Sequence, residues 1–266
     1  MLAVSVLVFN ALCIFLAISI RVGFLADAFS KREIPGRLYG AMEGSILLGN
    51  LVVFTSGCSP VLLARFTSRT LIVGCSVVMS TVMLSTGLTY LAQSTTTVLV
   101  LSTVLRITQG LLGYFIFIVY IDFVNAQFPE HFDVVNGLLN MGIFVGHGVA
   151  ESVGCVLYDK FGYLVPYLFG SAVTMAAGLL AFLVLPSSCT YLASQPKQAE
   201  GEKRTVKLSK MHALPMLAML FINATCGYLQ VSILSFYVMN STANLPTEQH
   251  LEMTKMLFAV NNIFSI

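Results

Sequence analysis

His147 and Glu151 stand four residues apart inside an apolar stretch long enough to cross a membrane. On a helix that spacing puts both on one face, where they can share a proton or form an ion pair. An unpaired Glu at membrane depth takes up a proton and becomes neutral. The pair therefore reads either as a hydrogen-bonded fastener between helices or as a proton relay or solute contact. Along the same helix Gly142, Gly146, Ala150 and Gly154 recur every fourth residue, with Gly137 preceding them. Such a stripe lets a second helix approach closely, because association in lipid rests on packing rather than on water exclusion.

A second constellation lies earlier in the chain. Arg106, Gln109, Gly110 and Gly113 fall at i, i+3, i+4 and i+7, one helix face. A guanidinium at mid-membrane costs at least about 2.5–3.5 kcal/mol on insertion scales. Arg106 therefore either faces a cavity or partner, or snorkels to the interface. Glu43, flanked by Gly40 and Gly44 on another small-residue surface, can pair with Arg106 or with Arg21. Asn10, Asn50, Asn223 and Gln230 are polar residues at membrane depth, open to interhelical hydrogen bonds or solute contact.

The elements that carry these residues follow from composition. The chain is 57% hydrophobic and only 10% charged, with a mean hydropathy of +0.86. Soluble domains carry about 25% charged residues, so this chain cannot cover a water-facing surface and reads as an all-α integral membrane protein. A net charge of +2 gives no basis for nucleic-acid binding. The six cysteines are scattered singly, with no metal-ligand spacing, and read as small buried apolar residues. The first 20 residues lack a basic lead and a small-residue cleavage site, which favours a first transmembrane helix over a signal peptide.

A spanning helix needs about 20 apolar residues. Spans are predicted near 2–24, 38–60, 71–93, 97–121, 134–158 and 162–185, with another at about 213–239. The domain reading is a six-helix N-terminal bundle (1–186), a charged linker (187–211), and the start of a second bundle (212–266). The last apolar run, from Met253 to Ile266, is shorter than a full span, so a fragment of a longer protein is expected. Loops after the second, fourth and sixth helices carry seven Lys and Arg against five in the others. That bias puts the N-terminus and linker in the cytoplasm, and the sequon at Asn240 on the opposite side as a glycosylation candidate. Asp122 reads as a helix-end residue. There is no Walker loop, HExxH or GxSxG, so neither ATP-driven pumping nor an enzyme is indicated.

Arg106-x2-Gln109-Gly110-x2-Gly113 resembles the helix 4 motif of the major facilitator superfamily, whose Arg is associated with proton transfer. The stretch from Gly137 resembles that superfamily's antiporter motif, G-x8-G-x3-G-P-x2-G-G. Gly137, Gly146 and Gly154 match it, while Ala150, Glu151 and Cys155 differ. Leu157-Tyr158-Asp159-Lys160-Phe161-Gly162-Tyr163-Leu164-Val165-Pro166-Tyr167 narrows the resemblance to the vesicular amine transporters, in particular their polyamine branch. Leu214-Pro215, Ser235-Phe236-Tyr237 and Asn244-Leu245-Pro246 do the same.

The resemblance implies a twelve-helix secondary transporter, with no cofactor, that exchanges protons for small cationic amines. Its solute path would lie between two halves, in a vesicular or plasma membrane. Arg106, Glu151, His147 and Glu43, with Gln109, Asn223 and Gln230, are the expected proton-coupling or solute-binding residues. The sequence departs from the pattern in three further places. The loop Ser59–Arg69 lacks the superfamily's Gly and Asp, no carboxylate precedes Asp27, and Gln230 replaces an Asp of the polyamine branch. The counter-charge for an amine then falls to Glu43 or Glu151. Two rival readings are a transporter-like sensor or scaffold, motivated by these departures, and a non-functional truncated transporter.

Overall fold

The computed structural model describes residues 1–56 and 58–187, and the elements there are helical. They are α1 (Leu2–Ser19), α2 (Leu25–Ser30), α3 (Gly36–Gly44), α4 (Ile46–Ser56), α5 (Cys58–Arg65), α6 (Ser68–Thr89), α7 (Thr95–Gln127), α8 (Phe132–Phe161) and α9 (Leu164–Val184). A 3₁₀ turn, Pro129–His131, leads into α8. Six units are long and apolar enough to cross a membrane: α1, α3 with α4, α6, α7, α8 with its leading turn, and α9. The expected linker beyond Ser187, the seventh span, the last apolar run, Asn223, Gln230 and Asn240 lie outside the described residues.

The ends differ from the sequence expectation where polar groups intervene. The first helix stops at Ser19 rather than residue 24. Tight-turn bonds follow it, with Val22 N–H donating to Ser19 C=O and Phe24 N–H to Arg21 C=O. α3 begins directly after Pro35, whose fixed φ and missing N–H suit a helix start. Thr67 caps α6, its hydroxyl accepting from Thr70 N–H at 3.2 Å. Ser94 caps α7 in the same way, and α7 runs on to Gln127, six residues beyond the expected end. The second span is interrupted at Ser45, whose hydroxyl donates to Met42 C=O at 2.6 Å. Such back-bonding competes with the helix ladder.

α1 is the most buried span, and it is apolar all round, the pattern of a central helix. It packs on α8 and α9, while α4 packs on α7, and α6 on both α7 and α9. The α8 stripe meets α1 backbone to backbone. A Cβ placed on Gly146 would come within 2.5 Å of Leu12 C=O, and one on Gly142 within 2.9 Å of Val8 C=O. At Gly154 it would collide with Ile20 C=O. Ala150 is fully buried in the same seam. Gly137 takes no part: a Cβ there meets nothing within 4 Å.

A second close crossing joins α4 to α7. Gly49 lies against Ile107 C=O and Leu111 N–H, and Gly110 against Ile46 C=O. The small-residue surface expected at Gly40 and Gly44 is not a contact, since a Cβ on either meets nothing within 4 Å. Two turns further along, Gly49 makes the contact instead. On the far side of α8, Leu138, Met141, Phe144, Val145 and Val149 are exposed, an apolar face suited to lipid or to further helices.

The expected consequence is position-specific within one helix. Gly146→Val drives a side chain into the Leu12 carbonyl of α1, and Gly154→Val into the Ile20 carbonyl just after it. The cost lies at or above the top of the about 1–3 kcal/mol typical of overpacking. Both variants should lose the monodisperse peak in detergent size-exclusion chromatography, whereas Gly137→Val should keep it.

Candidate functional site

Arg106 sits four residues before Gly110, so the α4–α7 crossing that needs Gly110 also aims the guanidinium inward. It is 2% exposed and does not snorkel. Its Nη2 donates to Glu43 Oε2 at 2.8 Å, and its Nη1 to Gln109 Oε1 at 3.0 Å and Ile18 C=O at 3.3 Å. Gln109 passes the network to α6 by donating to Thr86 Oγ1 at 3.3 Å. Gly113, one turn on, leaves room for Ile18 Cδ1.

The sequence left Glu43 a choice between two arginines. It takes both. Arg21, fully buried in the turn after α1, places Nη2 3.1 Å from Glu43 Oε1. One carboxylate on α3 thus joins the end of α1 to the middle of α7. Two guanidinium groups flank it: Oε2 accepts a hydrogen bond from Arg106, while Oε1 meets Arg21 as an ion pair with no hydrogen bond among the described residues.

His147 and Glu151 do not pair. Among the described residues His147 Nδ1 hydrogen-bonds the Ser19 hydroxyl across the α1–α8 seam, and its ring lies edge-on to Phe15 at 5.2 Å between centroids. The reason is orientation: the stripe seats α8 so tightly on α1 that His147 reaches the α1 hydroxyl rather than its own next turn. Glu151 is 7% exposed, and its Oε2 has no hydrogen-bond partner among the described residues. Gly23 packs over this turn, its would-be Cβ 3.2 Å from Glu151 C=O.

Asn10 has the fastening role expected of it. Its amide donates to Ser76 Oγ at 3.2 Å and its carbonyl accepts from Tyr120 Oη at 2.6 Å, tying α1, α6 and α7. Asp122 is not a helix-end residue: it is buried five residues before the end of α7 and accepts from Ser68 Oγ at 3.4 Å. Sequence reasoning missed Ser19 and Tyr120. Nothing in their spacing marks them, because each meets its partner across helices.

The turn after α1 is strapped down outside the spans. Lys31 Nζ lies 2.6 Å from Asp27 Oδ2 and donates to Tyr158 Oη at 3.2 Å, and Tyr158 donates to Asp27 at 2.9 Å. Arg32 donates to the Ala92 and Tyr90 carbonyls and stacks over the Tyr90 ring at 3.9 Å. The hydrogen bond to Asp27 holds the Lys31 ammonium above the usual lysine range. That contribution is complete at neutral pH and is lost only as pH rises past the ordinary lysine value.

A six-span helical bundle with charged and polar groups enclosed at membrane depth is the architecture of a multi-pass membrane transporter. A family model of the Major Facilitator Superfamily matches residues 7–266, and the chain belongs to that superfamily. No curated protein matches the chain.

The two carboxylates should respond oppositely to amide replacement. Glu43→Gln leaves two buried guanidinium groups uncompensated, a loss of about 3–5 kcal/mol, read as a lower thermal midpoint in lipid nanodiscs. Glu151→Gln removes a titratable carboxyl with no cationic partner among the described residues and should leave the midpoint equal or higher.

Proposed function

We propose that the protein is a proton-coupled antiporter of a small organic amine, working by alternating access between its N-terminal bundle and a second one begun by residues 212–266. The observation that carries this is Glu151, enclosed against α1 with an oxygen unpartnered among the described residues. Glu43 cannot serve as the counter-charge while two arginines hold it. Glu151 can. Its single negative charge accepts either a proton or an ammonium group, and the two occupants exclude one another. Mutual exclusion at one carboxylate couples proton movement one way to amine movement the other.

His147, one turn away and bonded to Ser19, is the group through which a proton reaches or leaves Glu151. The Arg21–Glu43–Arg106 cluster holds α1, α3 and α7 together while the halves move. The resemblance to vesicular amine transporters supports a polyamine or monoamine as solute. The charge bias of the loops supports a cytoplasmic N-terminus and linker. A vesicular membrane with an acidic lumen would supply the driving gradient, and no cofactor is required.

The full chain in proteoliposomes with an acidic interior should accumulate labelled spermidine or a monoamine, and a protonophore should abolish the accumulation. Glu151→Gln should reduce gradient-driven uptake at least about tenfold, the effect of losing roughly 1.4 kcal/mol or more of coupling, without lowering stability. His147→Gln should slow uptake less. Unchanged gradient dependence in Glu151→Gln would make that residue structural, and no uptake of any amine would overturn the amine reading.

A further inference from the structure

Outside the polar network, α4, α6 and α7 diverge around a cleft of about 470 Å³, within the about 300–1,000 Å³ typical of small-molecule sites. Its walls include Val52 of α4, Gly74 and Val78 of α6, and Leu111 and Phe115 of α7, with Phe66 at one end. Two hydroxyl side chains line it, and both are engaged locally. Ser56 donates to Val53 C=O at 3.3 Å, and the Thr70 hydroxyl pairs with that of Thr67 at 2.8 Å. The cleft is therefore lined mainly by hydrocarbon, with few groups to orient a polar solute. Water gains little there, and so does an amine.

The cleft adjoins exposed apolar residues of α4, Leu51, Val52 and Phe54, a surface apolar enough to face a bilayer. At the same end stands Arg65, the last residue of α5, between Leu62 and Phe66, which both line the cleft. Arg65 is exposed and makes no ion pair among the described residues. Its neighbour Arg69 is occupied elsewhere, donating to Leu185 C=O and lying over the Phe182 ring. An apolar slot inside the membrane with a cation at its interfacial end is complementary to a lipid with an anionic head and a hydrocarbon tail.

We propose that this cleft is a binding site for an anionic phospholipid, with one acyl chain between α4, α6 and α7 and its phosphate met by Arg65. Gly74 offers a clean test, since a Cβ there meets nothing within 4 Å. Gly74→Phe can fill the slot without striking backbone.

The full chain is placed in nanodiscs containing phosphatidylglycerol or phosphatidylcholine with a photoactivatable group on the acyl chain, and cross-links are mapped by mass spectrometry. The proposal expects several-fold heavier labelling of segments 74–78 and 111–115 by phosphatidylglycerol than by phosphatidylcholine. Arg65→Gln should remove that preference, and Gly74→Phe should remove the labelling. Equal labelling by the two lipids, or labelling undiminished in Gly74→Phe, would overturn it. Absence of labelling would overturn it as well, as when another part of this chain covers the cleft. Should Gly74→Phe fail to fold, the two-lipid comparison on the unaltered chain decides alone.

Discussion

The bundle depends on Glu43, which sits between Arg21 and Arg106 and offsets one of their two positive charges. A guanidinium enclosed among spanning helices has no water to replace its hydration, so an uncompensated charge there is unfavourable by several kcal/mol. Glu43 offers one oxygen to each arginine, and the three residues come from the turn after α1, from α3 and from α7. Position follows from this chemistry. The turn after α1 must bring Arg21 inward, α3 must present Glu43 toward α7, and the α4–α7 crossing must be close enough for Arg106 to reach it. Gly49 and Gly110 provide that closeness by letting backbones touch.

The same logic separates two carboxylates that look alike in the sequence. Glu43 lies between two arginines in ion-pair contact and belongs to the scaffold. Glu151 lies in a seam set by glycines, without a cation beside it among the described residues, and is the carboxylate proposed to exchange protons. A transporter needs both kinds: fixed charge pairs that keep the helices in register, and one titratable group whose occupancy can change. The cleft proposed for lipid, bounded by α4, α6 and α7, shares α7 with the charge cluster but none of its polar groups.

The spans were legible in the sequence because lipid leaves few alternatives. A run of about 20 apolar residues must be helical when no water is present to satisfy the backbone, and the six described spans fall close to their expected places. Their ends were less legible. Ser19, Ser45 and Ser94 decide them through hydroxyl and turn bonds that hydropathy does not register. The glycine seam at Gly142, Gly146 and Gly154 was readable from spacing alone, since a four-residue repeat of small residues has one geometric meaning on a helix. Gly40 and Gly44 show the limit: they flank Glu43 in the chain yet touch nothing.

The sequence by itself determined the solvent, the helical class, the superfamily resemblance and the residues that could carry charge in lipid, because those follow from side-chain type and local period. Tertiary structure alone decided the partners. It gave Glu43 both arginines, turned His147 to Ser19 instead of Glu151, drew Asn10 to Tyr120 and Ser76, and buried Asp122 against Ser68. Each of these contacts joins residues distant in the chain, whose meeting depends on how two helices cross rather than on anything either segment encodes.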